Sequence, residues 1–332
     1  MTNPVVFIVG CPRSGTTLLR RILDAHPQIA VTKETQWFDE SWLALWFEQR
    51  RGLTPDGNVT PELVAFMLEH PKFSRLKMPR QQFLDLAGNG ASVHFSAFVT
   101  RIFDHYGQIK GKARVGNKDP VYVRKLSLLH SLWPEARFVH LIRDGRDVSL
   151  SVIHWPDKGP ISKRTYATSN DDPVSTAALW WECNVRCGRE ERSRLGPQLY
   201  YEMRYESLVT HPASECERLC DFLGLPFDEA MVRFYESGRK APSDAGKDHP
   251  WMPITPGLRN WTTQMVPEDV ERFEAAAGGL LDELGYPRAV PHPRAPLLVH
   301  AAQIRELLAG DRKWIKHFGS KGAKAVGEKV LA

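Results

Sequence analysis

The chain reads as an α/β protein built around a phosphate-binding loop, on two observations. Val5 to Val9 is an apolar, β-branched run, the pattern of a strand buried on both faces. It enters a glycine-bounded turn, Gly10 to Gly15, and then Thr16 to His26, where leucines recur at helical spacing. A second apolar stretch, Ala136 to Ile142, repeats the arrangement: Arg143 to Asp147 follows it, then a helix through Ser149, Ser151 and Val152.

Strand, loop and helix in this order aim backbone N–H groups at one point beside a helix N-terminus, where the dipole also favours negative charge. The spacing Gly10-x-x-x-x-Gly15-Thr16-Thr17 is that of a nucleotide-triphosphate loop with one change. Thr16 stands where the phosphate-contacting lysine belongs. Arg13 is the cation inside the loop. The segment therefore predicts an anionic ligand other than an ordinary ATP or GTP.

The remaining elements follow in order. Gln28 to Val31 reads as a short strand whose end presents Lys33, Glu34 and Thr35, followed by an aromatic-rich helix, Trp37 to Arg50. Residues 51–116 read as helices interrupted by polar turns, and Trp133-Pro134 ends a further helix. After the strand Ala136 to Ile142 come a polar, proline-rich loop (Trp155 to Pro173), a long helix (Val174 to Ser193) and a strand (Gln198 to Tyr201). That strand turns at Arg204 to Ser207, and the helix after His211 ends at Gly224.

Composition narrows the class. A chain of 332 residues is one large domain or two smaller ones, and a 42% apolar fraction supplies a substantial core. Net charge +5 suits an anionic ligand, but the body lacks a long basic block interleaved with aromatics, which argues against a nucleic-acid partner. The N-terminus, MTNPVVFIVG, has neither the charged start nor the apolar length of a secretory signal. No apolar run approaches a membrane span, so a cytoplasmic location is expected. Five cysteines fit a reducing compartment. Cys183/Cys187 and Cys216/Cys220 are each four apart on helices, read either as a four-thiolate site or as small buried residues. The spacing is wrong for a zinc knuckle, and no metal is expected. Cys11 reads as loop filler at a helix N-terminus, where thiol pKa values fall.

Several short words recur in a telling order: PRSGTT (Pro12 to Thr17), LDAHP, KET (Lys33 to Thr35), NKDP (Asn117 to Pro120), IRDGRDVSLS (Ile142 to Ser151) and YESLVTHP (Tyr205 to Pro212). Together they resemble the sulfotransferases that use 3′-phosphoadenosine 5′-phosphosulfate (PAPS), nearest to the tyrosylprotein sulfotransferases and their bacterial relatives, over roughly residues 4–287. The resemblance implies a parallel sheet flanked by helices, a P-loop nucleotide-kinase-like fold, with PAPS as co-substrate, 3′-phosphoadenosine 5′-phosphate as product and no metal.

The resemblance also assigns roles. Ser14, Gly15, Thr16 and Thr17 would grip the 5′ side of the donor through backbone N–H groups and threonine hydroxyls. Arg143 and Ser151, eight residues apart, would take the 3′-phosphate; read alone, Arg143 can equally pair with Asp144 or Asp147. Tyr205 matches the tyrosine that touches the nucleotide. Arg259, in TPGLRNW, matches only approximately a basic residue closing over the donor, because Asn260 precedes the tryptophan. Arg13 and Lys118 would neutralise charge on the transferred group and the leaving oxygen, as preorganised cations do; read alone, Lys118 can simply partner Asp119. Glu34, twenty-one residues after Arg13, falls on the position of the catalytic base. A carboxylate suits a phenol near pKa 10 only if its own pKa is raised or proton transfer is late.

One departure bears on the acceptor. The protein-tyrosine enzymes carry an arginine where this chain has Gln36, followed here by Trp37 and Phe38. Loss of that cation and gain of aromatics point to a carbohydrate, lipid or small-molecule hydroxyl, unless the aromatics are core. Peptide tyrosine is the alternative acceptor. A small-molecule kinase is the rival from another class, and it would require ATP and Mg²⁺.

Residues 288–296, RAVPHPRAP, read as a proline-rich linker closing a domain of residues 1–287. The tail beyond it holds an apolar helix, Pro296 to Leu308, and a basic terminus, Asp311 to Ala332. The terminus has six Lys/Arg against two acids, with Trp314, Ile315 and Phe318 interleaved. Such a segment lies on an anionic membrane surface, or packs on its own domain or on a second subunit of a homodimer.

Overall fold

The computed structural model describes residues 4–37, 52–88, 92–154, 161, 165–237, 253–255, 257 and 259–324, with side chains through residue 318. The expected helix over Trp37 to Arg50 lies, beyond Trp37, outside them. The chain forms two compact units. One comprises Met1–Gly10, Gly15–Leu141 and Arg194–Thr255, the other Cys11–Ser14, Ile142–Ser193 and Pro256–Ala332.

The first unit is built on a five-stranded parallel sheet of β1 (Val6–Gly10), β2 (Ile29–Thr32), β3 (Arg114–Lys118), β4 (Arg137–Ile142) and β5 (Tyr200–Arg204), in the order β2-β3-β1-β4-β5. β1 lies at the centre, pairing Val6 with Gly116 on one side and with Arg137 on the other. Its residues alternate between two cores, as the period of a strand requires. Phe7 and Val9 pack with Phe98, Phe103, Tyr122 and Trp133. Val6 and Ile8 pack with Leu19, Ile22, Leu208 and Leu219. Burial on both faces is why β1 reads as an unbroken apolar run.

β3 has no such run. Residues 51–116 were expected to be helical, but Arg114 to Lys118 is a strand paired on both edges, with β1 and with β2. Its pairing rests on the backbone and on Gly116, where a Cβ would come within 2.8 Å of the Val6 carbonyl. Polar residues at its end hide it from an apolar-pattern reading. β5 starts two residues later than expected, because the N–H groups of Leu199 and Tyr200 are taken by the Gly196 carbonyl in a turn.

Each strand hands directly to a residue singled out above: β1 to the glycine loop, β2 to Lys33 and Glu34, β3 to Lys118 and Asp119, β4 to Arg143, β5 to Tyr205. Ligands of open parallel sheets bind at this carboxyl edge.

The second unit is helical. Gly145–Ile153, Pro173–Glu190, Pro267–Glu283 and Ala295–Gly310 share a core that includes Val148, Trp181, Phe273, Leu280 and Ile304. Gly145 has no room for a side chain, since a Cβ would strike the Trp181 and Phe273 rings. The tail helix Arg312–Lys324 belongs here too. Trp314 and Phe318, the aromatics proposed for a membrane face, are buried in this core, whereas Ile315 is exposed. Among the described residues no helix is long and apolar enough to cross a membrane.

Candidate active site

In the first unit, the helix Thr16–Ala25 begins after Gly15, which adopts the left-handed conformation (φ 92°), and no side chain caps it. A Cβ on Gly15 would run into the Tyr205 ring, so tyrosine and glycine together shape this turn. Tyr205 itself is buried as β5 gives way to the helix Tyr205–Thr210. The helix N-terminus is therefore left open to an anion.

Beside it, Lys118 donates to the Glu34 carboxylate and reaches Thr17 Oγ1 at 3.4 Å. The other Glu34 oxygen accepts from Arg75 Nη1 at 2.9 Å, and the same guanidinium nitrogen holds the Glu34 carbonyl at 3.0 Å. Burial alone would raise the Glu34 pKa. The charge and hydrogen bond of Lys118, with Arg75 and Lys72 adding, overcome it and bring the group down to about 2. Burial pulls the Lys118 ammonium downward while Glu34 opposes that pull. Lys118 thus partners Glu34, and Asp119 is occupied elsewhere: its Oδ2 accepts from the Gln36 N–H at 2.9 Å.

In the second unit, Ser14 is fully buried and its hydroxyl has no hydrogen-bond partner among the described residues. Arg13 is left-handed (φ 76°), and its Nε donates to Ser151 Oγ at 2.6 Å. Arg143 Nη2 donates to Asp147 Oδ2 at 3.2 Å and approaches the Arg259 carbonyl at 3.4 Å. Asp147 also accepts from the Trp261 N–H at 2.9 Å. Burial pushes the Asp147 carboxyl up, with Arg143 and the Trp261 N–H opposing. Arg259 thus contributes its backbone to Arg143, and the TPGLRNW loop is tied to the helix that carries Ser151.

The structure brings Glu34, Lys118 and Thr17 together, and separately Arg13 with Ser151 and Arg143 with Arg259. The uncapped start of the helix Thr16–Ala25 in the first unit is a place where backbone N–H groups can meet an anion. Three residues escaped the sequence reading. Arg75 lies in a stretch without a motif, Asp119 was weighed only as a partner for Lys118, and Asp147 only as one for Arg143. Of the two roles left open for Trp37 the structure shows the core one: it is buried and stacked on Phe103 at 6.1 Å. Phe38 lies outside the described residues. Cys183, Cys216 and Cys220 are buried, with thiols pushed up by that burial, and no metal-binding cluster occurs among the described residues. Cys11 is buried as well.

Residues 4–229 match the sulfotransferase family. The chain belongs to that family. Protein-tyrosine sulfotransferase A of Caenorhabditis elegans is 27% identical over 297 residues, covering 87% of this chain and 69% of that protein. Protein-tyrosine sulfotransferase 1 of Danio rerio is 28% identical over 303 residues, covering 88% and 74%. Among solved structures, the sulfotransferase domain of the Synechococcus PCC 7002 olefin synthase superposes with a TM-score of 0.56 at 22% identity, covering 86% of this chain and 95% of that one. That likeness is one of fold. The family match displaces the kinase reading: this sulfotransferase carries its anion loop without the kinase lysine.

Proposed function

We propose that this sulfotransferase moves the sulfuryl group of PAPS to the phenolic oxygen of a tyrosine in a peptide with acidic neighbours. The observation that carries the reading is the Glu34 carboxylate, held between Lys118 and Arg75 next to Thr17 of the anion loop. With Trp37 in the core, the carbohydrate, lipid or small-molecule acceptor loses one of its two supports. The cation missing at Gln36 has a counterpart in Arg75, with Lys72 close enough to act on Glu34. The relatives named above are protein-tyrosine enzymes, which favours the same acceptor.

In this reading the donor's 5′ side sits on the N–H groups of Ser14, Gly15, Thr16 and Thr17, and its 3′-phosphate on Arg143 and Ser151. Tyr205 lines the nucleotide. The Arg259 loop, through its carbonyl on Arg143, closes the 3′ side. The phenolic oxygen attacks sulfur in line, an O–S bond forms, and the bond from sulfur to the bridging phosphate oxygen breaks. The phenolic proton passes to Glu34, and 3′-phosphoadenosine 5′-phosphate leaves. Lys118 and Arg13 stabilise charge on the bridging and equatorial oxygens. A carboxyl near 2 is a weak base for a phenol, so the proton moves late, after most of the S–O exchange.

The test has two stages. Calorimetry in EDTA should show 3′-phosphoadenosine 5′-phosphate binding in preference to ADP and ATP, with the preference lost in Arg143→Ala. Labelled PAPS should then modify a tyrosine peptide with aspartate or glutamate at neighbouring positions. A phenylalanine control and neutral sugar or lipid alcohols should remain unlabelled. Better labelling of those alcohols would overturn the acceptor, and better binding of ATP would overturn the donor.

A further inference from the structure

We propose that Asp119 is a positioning residue that holds the base-bearing segment Lys33–Gln36 and acts as a second carboxyl beside Glu34. This rests on the assignment of Glu34 as the base. Asp119 is 1% exposed. Its Oδ2 accepts from the Gln36 N–H at 2.9 Å, and Gln36 is left-handed (φ 56°), a conformation that a non-glycine residue adopts at a cost. Two neighbours of the same stretch grip the segment as well. Asn117 Nδ2 donates to Thr32 Oγ1 at 2.8 Å and to the Lys33 carbonyl at 3.3 Å, and Tyr122 Oη lies 3.0 Å from Thr35 Oγ1. Thr35, Asn117, Asp119 and Tyr122 are all buried, so these bonds are shielded from water. The glutamate is thus carried on a segment whose following turn is pinned by a buried carboxyl, and base placement is worth large factors in rate.

The other Asp119 oxygen, Oδ1, is buried without a hydrogen-bond partner among the described residues. The groups that act on this carboxyl come from each neighbouring segment: Glu34 and the Gln36 N–H from the segment it holds, Lys118 from β3, and Lys72 from the stretch before Phe73–Leu76. β1 contributes the Ile8 carbonyl, which accepts the Asp119 N–H. Burial, followed by the Glu34 charge, pushes Asp119 up to about 7, against the Gln36 N–H and the two lysines. Below that pH Asp119 is neutral and Lys118 is committed to Glu34. Above it, a second negative charge next to Glu34 raises the basicity of that carboxylate, so turnover rises through pH 7.

Asp119→Asn and Asp119→Ala separate the two roles. Asparagine keeps an acceptor oxygen and the side-chain shape, so the Gln36 amide stays protected from hydrogen exchange. The rise through pH 7 should disappear, leaving kcat a few-fold below the wild type at pH 8. Alanine should expose the Gln36 amide and lower kcat 10-fold or more at pH 6 and at pH 8, with binding of 3′-phosphoadenosine 5′-phosphate changed less than 3-fold. In carbon-13 spectra, one carboxyl titrating near pH 7 should vanish in both variants. Equal protection of Gln36 in the alanine variant, or an unchanged pH rise in the asparagine variant, would overturn the proposal. If the alanine variant does not fold, the asparagine profile decides. A Glu34→Gln variant that turned over like the wild type would remove Glu34 as base, while exchange at Gln36 would still report whether Asp119 holds the segment.

Discussion

Lys118 donates a hydrogen bond from its ammonium to the carboxylate of Glu34, so the cation assigned to the leaving oxygen and the group assigned to the acceptor proton are partners. Lys118 is almost wholly buried and Glu34 partly open, with side chains 3% and 28% exposed. One end of the pair is a fixed charge in the fold and the other meets solvent. In the proposed reading a donor phosphate at Thr17, 3.4 Å from the Lys118 ammonium through its hydroxyl, would compete for that ammonium, and Glu34 would regain basicity to the extent that Lys118 turned away from it.

Glu34→Gln should therefore lower kcat by two orders of magnitude or more, with little change in nucleotide binding, since the amide cannot take the proton. Lys118→Ala should lower kcat similarly, because it removes a preorganised cation. The Glu34 pKa is depressed from 4.5 to about 2. The stability it contributes is complete above its unfolded pKa and is lost as pH falls from about 4.5 towards 2. Acid unfolding followed by circular dichroism should show wild type losing more stability over that interval than Glu34→Gln. Parallel acid curves would show that the ion pair adds nothing to folding.

Gly15→Ala should be far more disruptive than an added methyl suggests. The residue is left-handed, and the new Cβ points into the Tyr205 ring. Strain at such a position costs on the order of 1–2 kcal/mol, and displacing the ring disturbs the nucleotide side of the loop. Calorimetry should show 3′-phosphoadenosine 5′-phosphate binding weakened at least 10-fold. Pairing the change with Tyr205→Ala should relieve the collision and leave the backbone strain, so a full recovery in the double variant would contradict this account.

How far the sequence was legible follows from the kind of contact each residue makes. The β1 loop could be read because strand, glycines and helix are contiguous, and Lys118 because its neighbours spell a motif. Asp144 and Asp147 were both open as partners of Arg143, and the structure pairs it with Asp147, while the Trp261 N–H on the same carboxylate left no sign in the sequence. Asp119 was not legible, because its partner is a backbone N–H on a segment 83 positions earlier, and the sequence offers no sign of which amide a carboxylate will accept from. Arg75 reaches Glu34 across 41 positions from a stretch without motif or period. Trp37 stayed open between site and core for a related reason: an aromatic beside polar residues looks the same whether it lines a site or stacks on a helix such as Phe95–Ile109.

Glu274 should prove indispensable to the second unit. Its side chain and that of Arg146 are both 0% exposed, and they pair at 2.6 Å. Glu274 also accepts from the N–H groups of Ala289 and Val290, tying in the proline-rich segment, while Arg146 lies 3.6 Å over the Trp261 ring. Glu274→Ala leaves a buried guanidinium with Asp144 alone and two amides without their acceptor. Removing one partner of a buried pair costs about 3–5 kcal/mol. Chemical denaturation should show a loss of that size, with Glu274→Gln intermediate because its single carbonyl oxygen can still accept from one of the two amides. An alanine variant as stable as wild type would mean that the pair contributes no net stability.

Trp314 decides what the basic terminus does. Its ring packs against Tyr166 at 5.3 Å and Phe318 at 4.7 Å, and Tyr166 Oη lies 2.7 Å from His317 Nδ1. Large-to-small replacement of a buried aromatic costs about 3–5 kcal/mol through lost burial and the cavity left behind. Trp314→Ala should lower the melting temperature accordingly, whereas Ile315→Lys, one residue on and 41% exposed, should stay within about 0.5 kcal/mol of wild type. A tail that used these aromatics to enter a membrane would behave in the opposite way. Trp314→Ala would leave the melting temperature unchanged and abolish binding to anionic vesicles, and that pair of results would reassign the terminus from core to anchor.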